Sequence, residues 1–218
     1  MVFQLDDDIW FPNPRLGEPD GLLAIGGDLS LDRLLLAYCN GIFPWSDYRH
    51  EQRMWHCPMQ RFVIFPEEIH ISHSMRTLMN RRKYRVTIDR DFEGVIENCG
   101  KLRIDQPGAW LGKEMTEAYT MMHHEGWASS VEVWDENDKL VGGLYGVTIG
   151  RCFVGESMFS LVPNASKLAL IYLAQTLSQT PGTLIDCQLK TEHLESMGGR
   201  YIPYDEYMKY MPSYNDDE

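Results

Sequence analysis

The segment from Ser129 to Leu189 constrains the fold more than any other part of the chain. It reads "SSVEVWDENDKLVGGLYGVTIG", then "RCFVGESMFS", "NASKLALIYLAQTLSQT" and "LIDCQL". The first stretch has strand character on both sides of a turn at "ENDK", and the second is another strand. The third is an apolar helix capped at Asn164, and the fourth a further strand. A strand meander followed by a strand–helix–strand unit predicts a sheet with helices on its faces, in the α+β or α/β class.

The last strand carries a problem. Alternation places Leu184, Asp186 and Gln188 on one face and Ile185, Cys187 and Leu189 on the other. An unpaired polar group in a core costs roughly 2–7 kcal/mol, so an acid and an amide side by side need partners or a cleft. Glu156 in "GESMFS" is a second acid on an expected core strand, and Gly155 before it allows a backbone to approach closely.

Upstream, residues 1–20 are rich in Pro, Asp and Gly and read as a loop-dominated entry. "GGDLSLDRLLLAYCNGIFPW" predicts a helix with Ser30 as its N-cap and Asn40-Gly41 as its stop. "RFVIFP" then opens a new apolar strand, which sets a boundary between a small domain, 1–60, and a larger one, 61–218. In the larger domain, "SHSMRTLMNRR", "DFEGVIENCGKL" and "KEMTEAYTMMHHEG" read as helices and "YRVTID" as a strand.

Composition excludes several classes. No apolar run approaches the roughly 20 residues that cross a bilayer, and the N-terminus is acidic where a signal peptide would be basic. The five cysteines are scattered without a C-x-x-C, so they read as reduced thiols of a cytoplasmic protein, not as a disulfide frame or zinc site. The neighbouring His123 and His124 diverge by about 100° on a helix, which argues against a metal. A net charge of −12 argues against broad nucleic-acid binding, DNA included. Yet Ile69–Ile88 holds Arg76, Arg81, Arg82, Lys83 and Arg85 with no acid. His193, close after the Asp186 strand, reads as a helix-capping or core histidine.

The order of elements in the C-terminal half is similar to the mixed sheet of the acetyltransferase (GNAT) superfamily, where a splayed central strand pair admits an acyl donor. Acyl-CoA members hold the pyrophosphate on a glycine-rich loop at a helix N-terminus. The equivalent "SLVPNASKLAL" has no glycine and contains Pro163, so no CoA site of that kind is expected.

"EPDGLLAIGGDLS", "YCNGIFPW", "VGGLYGV", "GESMFS", "NASKLAL", "LIDCQ" and "HLESMGG" occur together and in order from Glu18 to Gly199. With these segments the chain resembles the leucyl/phenylalanyl-tRNA–protein transferases. The resemblance implies transfer of Leu, Phe or Met from aminoacyl-tRNA to the α-amine of proteins beginning with Arg or Lys, which tags them for N-end-rule degradation. The donor ester is already activated, so the implied chemistry needs no cofactor, metal or covalent intermediate. It needs a placed amine, a proton acceptor and oxyanion stabilisation.

The resemblance also implies site residues. Asp186 and Gln188 match the catalytic pair, with Asp186 as base or orienting anion, and Glu156 joins Asp186 in a negative site for a cationic N-terminus. The donor pocket would be lined by Leu144, Phe153, Met158, Ser160, Leu173 and Ile185, with Leu144 and Leu173 standing where relatives carry Met and Phe. Trp45 and Trp110 would grip the terminal adenosine, and the basic island Arg76–Arg85 would follow the acceptor-stem phosphates. His56, Cys57, Met59 and Gln60 depart from the usual pattern, which bears on the fit between the domains.

Overall fold

The computed structural model describes residues 2–45, 53–101 and 112–212. Two sheets organise the chain. The smaller comprises β1 (Phe3–Leu5), β2 (Leu22–Gly26), β3 (Phe43–Pro44) and β4 (Met54–His56), in the order β1-β2-β4-β3. Helix α1 (Leu31–Cys39) lies between β2 and β3, and the Ser30 side chain accepts from the Arg33 N–H as expected of an N-cap. Strand β1 falls where the sequence promised loop, and β2 follows just after that stretch. Their Pro- and Gly-rich flanks hide very short segments that pair only because Leu5, Leu23 and Ala24 are buried together.

The larger sheet has the order β11-β5-β10-β9-β8-β7-β6. Its members are β5 (Gln60–Ile64), β6 (Arg85–Ile88), β7 (Ala128–Trp134), β8 (Leu140–Ile149), β9 (Cys152–Ser160), β10 (Leu184–Asp186) and β11 (Arg200–Pro203). Only β9 and β10 run parallel, and the other neighbours are antiparallel. The fold is mixed α+β. Helices α2 (His73–Asn80) and α5 (Ala165–Leu177) cover one face, through Met75 and the apolar side of α5. Helices α3 (Phe92–Lys101), α4 (Lys113–His124) and α1 cover the other. The short α6 (Glu192–Ser196) and α7 (Tyr204–Tyr207) flank β11.

Two glycines let these layers close. A Cβ at Gly142 would lie 2.4 Å from the Ala165 Cβ, so α5 approaches β8 only over a bare backbone. A Cβ at Gly146 would lie 2.5 Å from the Phe153 ring, which therefore packs directly on the bare backbone of β8.

The start of α5 differs from expectation. Asn164 has φ 70 and its side chain makes no capping bond. The Ser166 N–H donates instead to Ser160 Oγ at 2.8 Å, so the cap comes from the end of β9.

Candidate active site

The site lies where β9 and β10 part. Their pairing covers only Cys152–Val154 against Leu184–Asp186. Beyond it, β10 ends and β9 bulges: Tyr145 faces Ser157 while Gly146 faces Gly155, which leaves Glu156 as the extra residue. The bulge changes the phase of β9. Phe153 and Met158, five positions apart, join the α5-side core, while Val154 and Phe159 join the opposite one.

A pocket of about 560 Å³ fills this gap and reaches both sheet faces. On the α5 side it is apolar, with Leu144, Phe153, Met158, Leu170, Leu173 and Ile185. On the α1 side it is bounded by Phe43, Pro44 and Trp45. Glu156, Ser157 and Gln188 stand at the junction. Five of the residues expected around the donor side chain are therefore brought together. Ser160 is not among them, because its hydroxyl is spent on capping α5 outside the pocket.

Asp186 is fully buried, and both of its oxygens are engaged. Oδ2 accepts from Arg61 Nε at 2.8 Å and from Tyr207 Oη at 2.9 Å, and Oδ1 accepts from the Gln188 N–H at 2.8 Å. The Arg61 guanidinium sits between the Phe43 and Tyr207 rings and donates through Nη1 to Gly41 O at 2.9 Å. Burial works against its charge, but the Asp186 carboxylate outweighs burial and raises its pKa.

Arg61 neutralises the Asp186 charge across a fully buried pair. Asp186 lines the pocket, and its carboxylate is bonded to Arg61, Tyr207 and the Gln188 N–H. The strand stops at Asp186, and Gln188 adopts φ 61, a left-handed conformation that costs a non-glycine residue ~1–3 kcal/mol. The bond from its N–H to Asp186 compensates, and this turn, not strand alternation, puts Gln188 on the pocket wall. Cys187 packs with the α5-side core, and burial pushes its thiol up.

Glu156 is 7 % exposed. Its carboxylate accepts from Tyr38 Oη at 2.7 Å, Tyr119 Oη at 2.9 Å and Gln188 Nε2 at 3.4 Å. Burial raises its pKa to about 7 against the opposing hydroxyl bonds, and the nearby Asp186 charge adds to the rise. Among the described residues no lysine or arginine pairs with it. Of the two acids that line the pocket, Asp186 is paired with Arg61 and Glu156 is held by hydroxyl and amide donors.

Trp45 is 36 % exposed at the pocket mouth, with its ring 5.6 Å from that of His56, which in turn stacks on Phe43 at 6.2 Å. The unusual His56 thus backs the aromatic wall, and burial lowers its pKa. Trp110 lies outside the described residues. Arg76, Arg81, Arg82, Lys83 and Arg85 are all exposed around the α2–β6 turn, and none lines the pocket. Edge strand β6 is three positions from β9, about 14 Å at ordinary strand spacing. Arg85 is already paired with Asp138. His193, read as a helix-capping or core histidine, is half-buried within α6 and lines the pocket.

Sequence reasoning missed Tyr38, Tyr119, Arg61 and Tyr207. Tyr38 and Tyr119 lie in segments read only as helices, and Arg61 opens the segment read as a new apolar strand. Only an arginine inside the otherwise apolar "RFVIFP" hinted at a buried partner.

A pocket at the parted strands, apolar at one end with a carboxylate and an amide at its waist, has the parts that a group-transfer site for an apolar donor needs. The chain belongs to the leucyl/phenylalanyl-tRNA protein transferase family: that family's model matches residues 63–212, and the model of its N-terminal domain matches residues 27–59. A leucyl/phenylalanyl-tRNA–protein transferase of Flavobacterium psychrophilum is 50% identical over 208 residues, 95% of this chain and 98% of the relative. One from Syntrophus aciditrophicus is 52% identical over 196 residues, 89% of this chain and 81% of the relative. Among solved structures, L-PGS from Bacillus licheniformis matches 82% of this chain and 65% of its own at 12% identity, with a TM-score of 0.46.

Proposed function

We propose that this chain transfers Leu, Phe or Met from aminoacyl-tRNA to the α-amine of proteins beginning with Arg or Lys, marking them for N-end-rule degradation in the cytoplasm. The observation that carries this reading is the single pocket joining an apolar lobe to Glu156 and Gln188. Family membership supports a tRNA-borne donor and a protein acceptor. We read residues 1–60 as a domain that contributes the aromatic wall and 61–218 as an acetyltransferase-type domain.

In this reading the donor side chain enters the lobe formed by Leu144, Phe153, Met158, Leu173 and Ile185. An unbranched Cβ passes the waist, and the lobe beyond accepts Leu, Met or Phe. The ester then lies at the junction of the two faces. The acceptor amine approaches Gln188 and Glu156, and Glu156 takes its proton as the nitrogen attacks. An α-amine titrates at about 7.7–8.0, close enough to a carboxyl near 7 for exchange in either direction. Asp186 is a positioning residue that keeps the Gln188 turn in place. Trp45 and Trp110 stack on the terminal adenosine, and the α2–β6 arginines and lysine follow the phosphates.

The test is transfer itself. Labelled Phe-tRNA or Leu-tRNA is mixed with the protein and a peptide beginning with Arg, alongside an N-terminally blocked peptide and acetyl-CoA as alternative substrates. Label on the free Arg peptide alone is the expected result. Tight tRNA binding without transfer, or acetylation from acetyl-CoA, overturns the reading.

A further inference from the structure

Most buried polar side chains near the pocket have partners, and Ser157 is an exception. It is 8 % exposed, lies on the pocket wall, and its Oγ makes no hydrogen bond among the described residues. A hydroxyl taken out of water without a partner is costly, and native structures keep such groups where a ligand or water completes them. The bulge explains its position. With Glu156 as the extra residue, Glu156 and Ser157 follow one another on the wall, and Ser157 sits between the acid and Met158 of the apolar lobe.

We infer that the Ser157 hydroxyl donates the hydrogen bond that stabilises the oxyanion formed at the donor ester, an assignment that rests on the aminoacyl-transfer reading above. A donor whose side chain fills the lobe carries its carbonyl one bond from Cα, between Met158 and Glu156. The amine nitrogen bonds to that carbon, and the carbonyl electron pair moves onto oxygen, where it meets the Ser157 O–H. The pair then returns, the bond to the ribose oxygen breaks, and the proton held by Glu156 passes to that oxygen. Ser157 keeps its own proton throughout. A nucleophilic serine would need a base within hydrogen-bond reach, and Ser157 Oγ has none among the described residues. The Glu156 oxygens accept from Tyr38, Tyr119 and Gln188 instead.

The experiment compares Ser157→Ala and Ser157→Thr with the unsubstituted chain, using saturating Arg peptide. Ser157→Ala should lower kcat about 100-fold, as expected for one lost oxyanion donor. KM for aminoacyl-tRNA, and the affinity for an adenosine whose 3′ amino acid is amide-linked and unreactive, should change less than about threefold. Ser157→Thr, which keeps the hydroxyl, should recover most of the rate. Near-normal kcat in Ser157→Ala, a parallel loss of analogue affinity, failure of Thr to recover the rate, or an acyl group found on Ser157 by mass spectrometry overturns the assignment. Absence of transfer by the unsubstituted chain overturns the functional reading, and this assignment falls with it.

Discussion

Arg61 and Asp186 form a fully buried ion pair on neighbouring strands, Nε to Oδ2 at 2.8 Å, and the same guanidinium bonds to Gly41 O in the smaller domain. One side chain therefore ties the turn that carries Gln188 to the segment that carries Phe43 and Trp45. Removing it leaves a carboxylate in the interior with no compensating charge. Arg61→Met should destabilise the fold by about 3–5 kcal/mol, seen as a lower urea midpoint. An unchanged midpoint would show that the pair holds nothing together.

Glu156 should shape the pH response near neutrality, because burial raises its pKa. The rise is from the usual 4.5 of a glutamate to about 7, so the native state binds the proton more tightly than the unfolded chain. Its contribution to stability is fully present below the unfolded value and is lost as pH rises through about 7. Unfolding free energy measured from pH 4 to 8 should decline over that window, by roughly 3 kcal/mol at most. Glu156→Gln should flatten the decline. In transfer assays the same variant should lose the rate increase centred near neutrality, leaving only the limb set by the acceptor amine.

With the donor side chain in the apolar lobe as proposed, pocket depth should set donor choice. Leu173 lies 5 % exposed on the apolar lobe. Leu173→Ala should deepen the lobe and raise kcat/KM for Phe-tRNA relative to Leu-tRNA by about tenfold, within the ~1–3 kcal/mol that a hydrophobic pocket discriminates. A ratio that does not move would place the donor side chain elsewhere.

Trp45 and the basic turn should separate cleanly. Trp45→Ala should weaken aminoacyl-tRNA use by ~1–3 kcal/mol with little effect on salt dependence. Replacing Arg81, Arg82 and Lys83 with Ala should instead flatten the plot of log affinity against log salt by about one unit per lost phosphate contact. Arg85, committed to Asp138, should have the smallest effect of the island.

The sequence determined what local chemistry can determine. Ser30 announced the start of α1, "ENDK" the turn between β7 and β8, and the apolar run 164–180 a core helix, because caps, turns and periodicity act over a few residues. Asp186, Gln188 and Glu156 were conspicuous because polar groups in apolar strands are expensive and so mark a site. Tertiary structure decided how they are used. It enclosed Asp186 with Arg61 and Tyr207, 125 and 21 residues away in sequence. It turned Gln188 to the pocket by a left-handed backbone where alternation implied a longer strand. It placed Ser160, expected in the donor pocket, at the cap of α5, and the bulge at Glu156 put Phe153 and Met158 on one face. Each of these depends on which distant groups meet in a water-poor interior, and the order of residues along the chain does not carry that information.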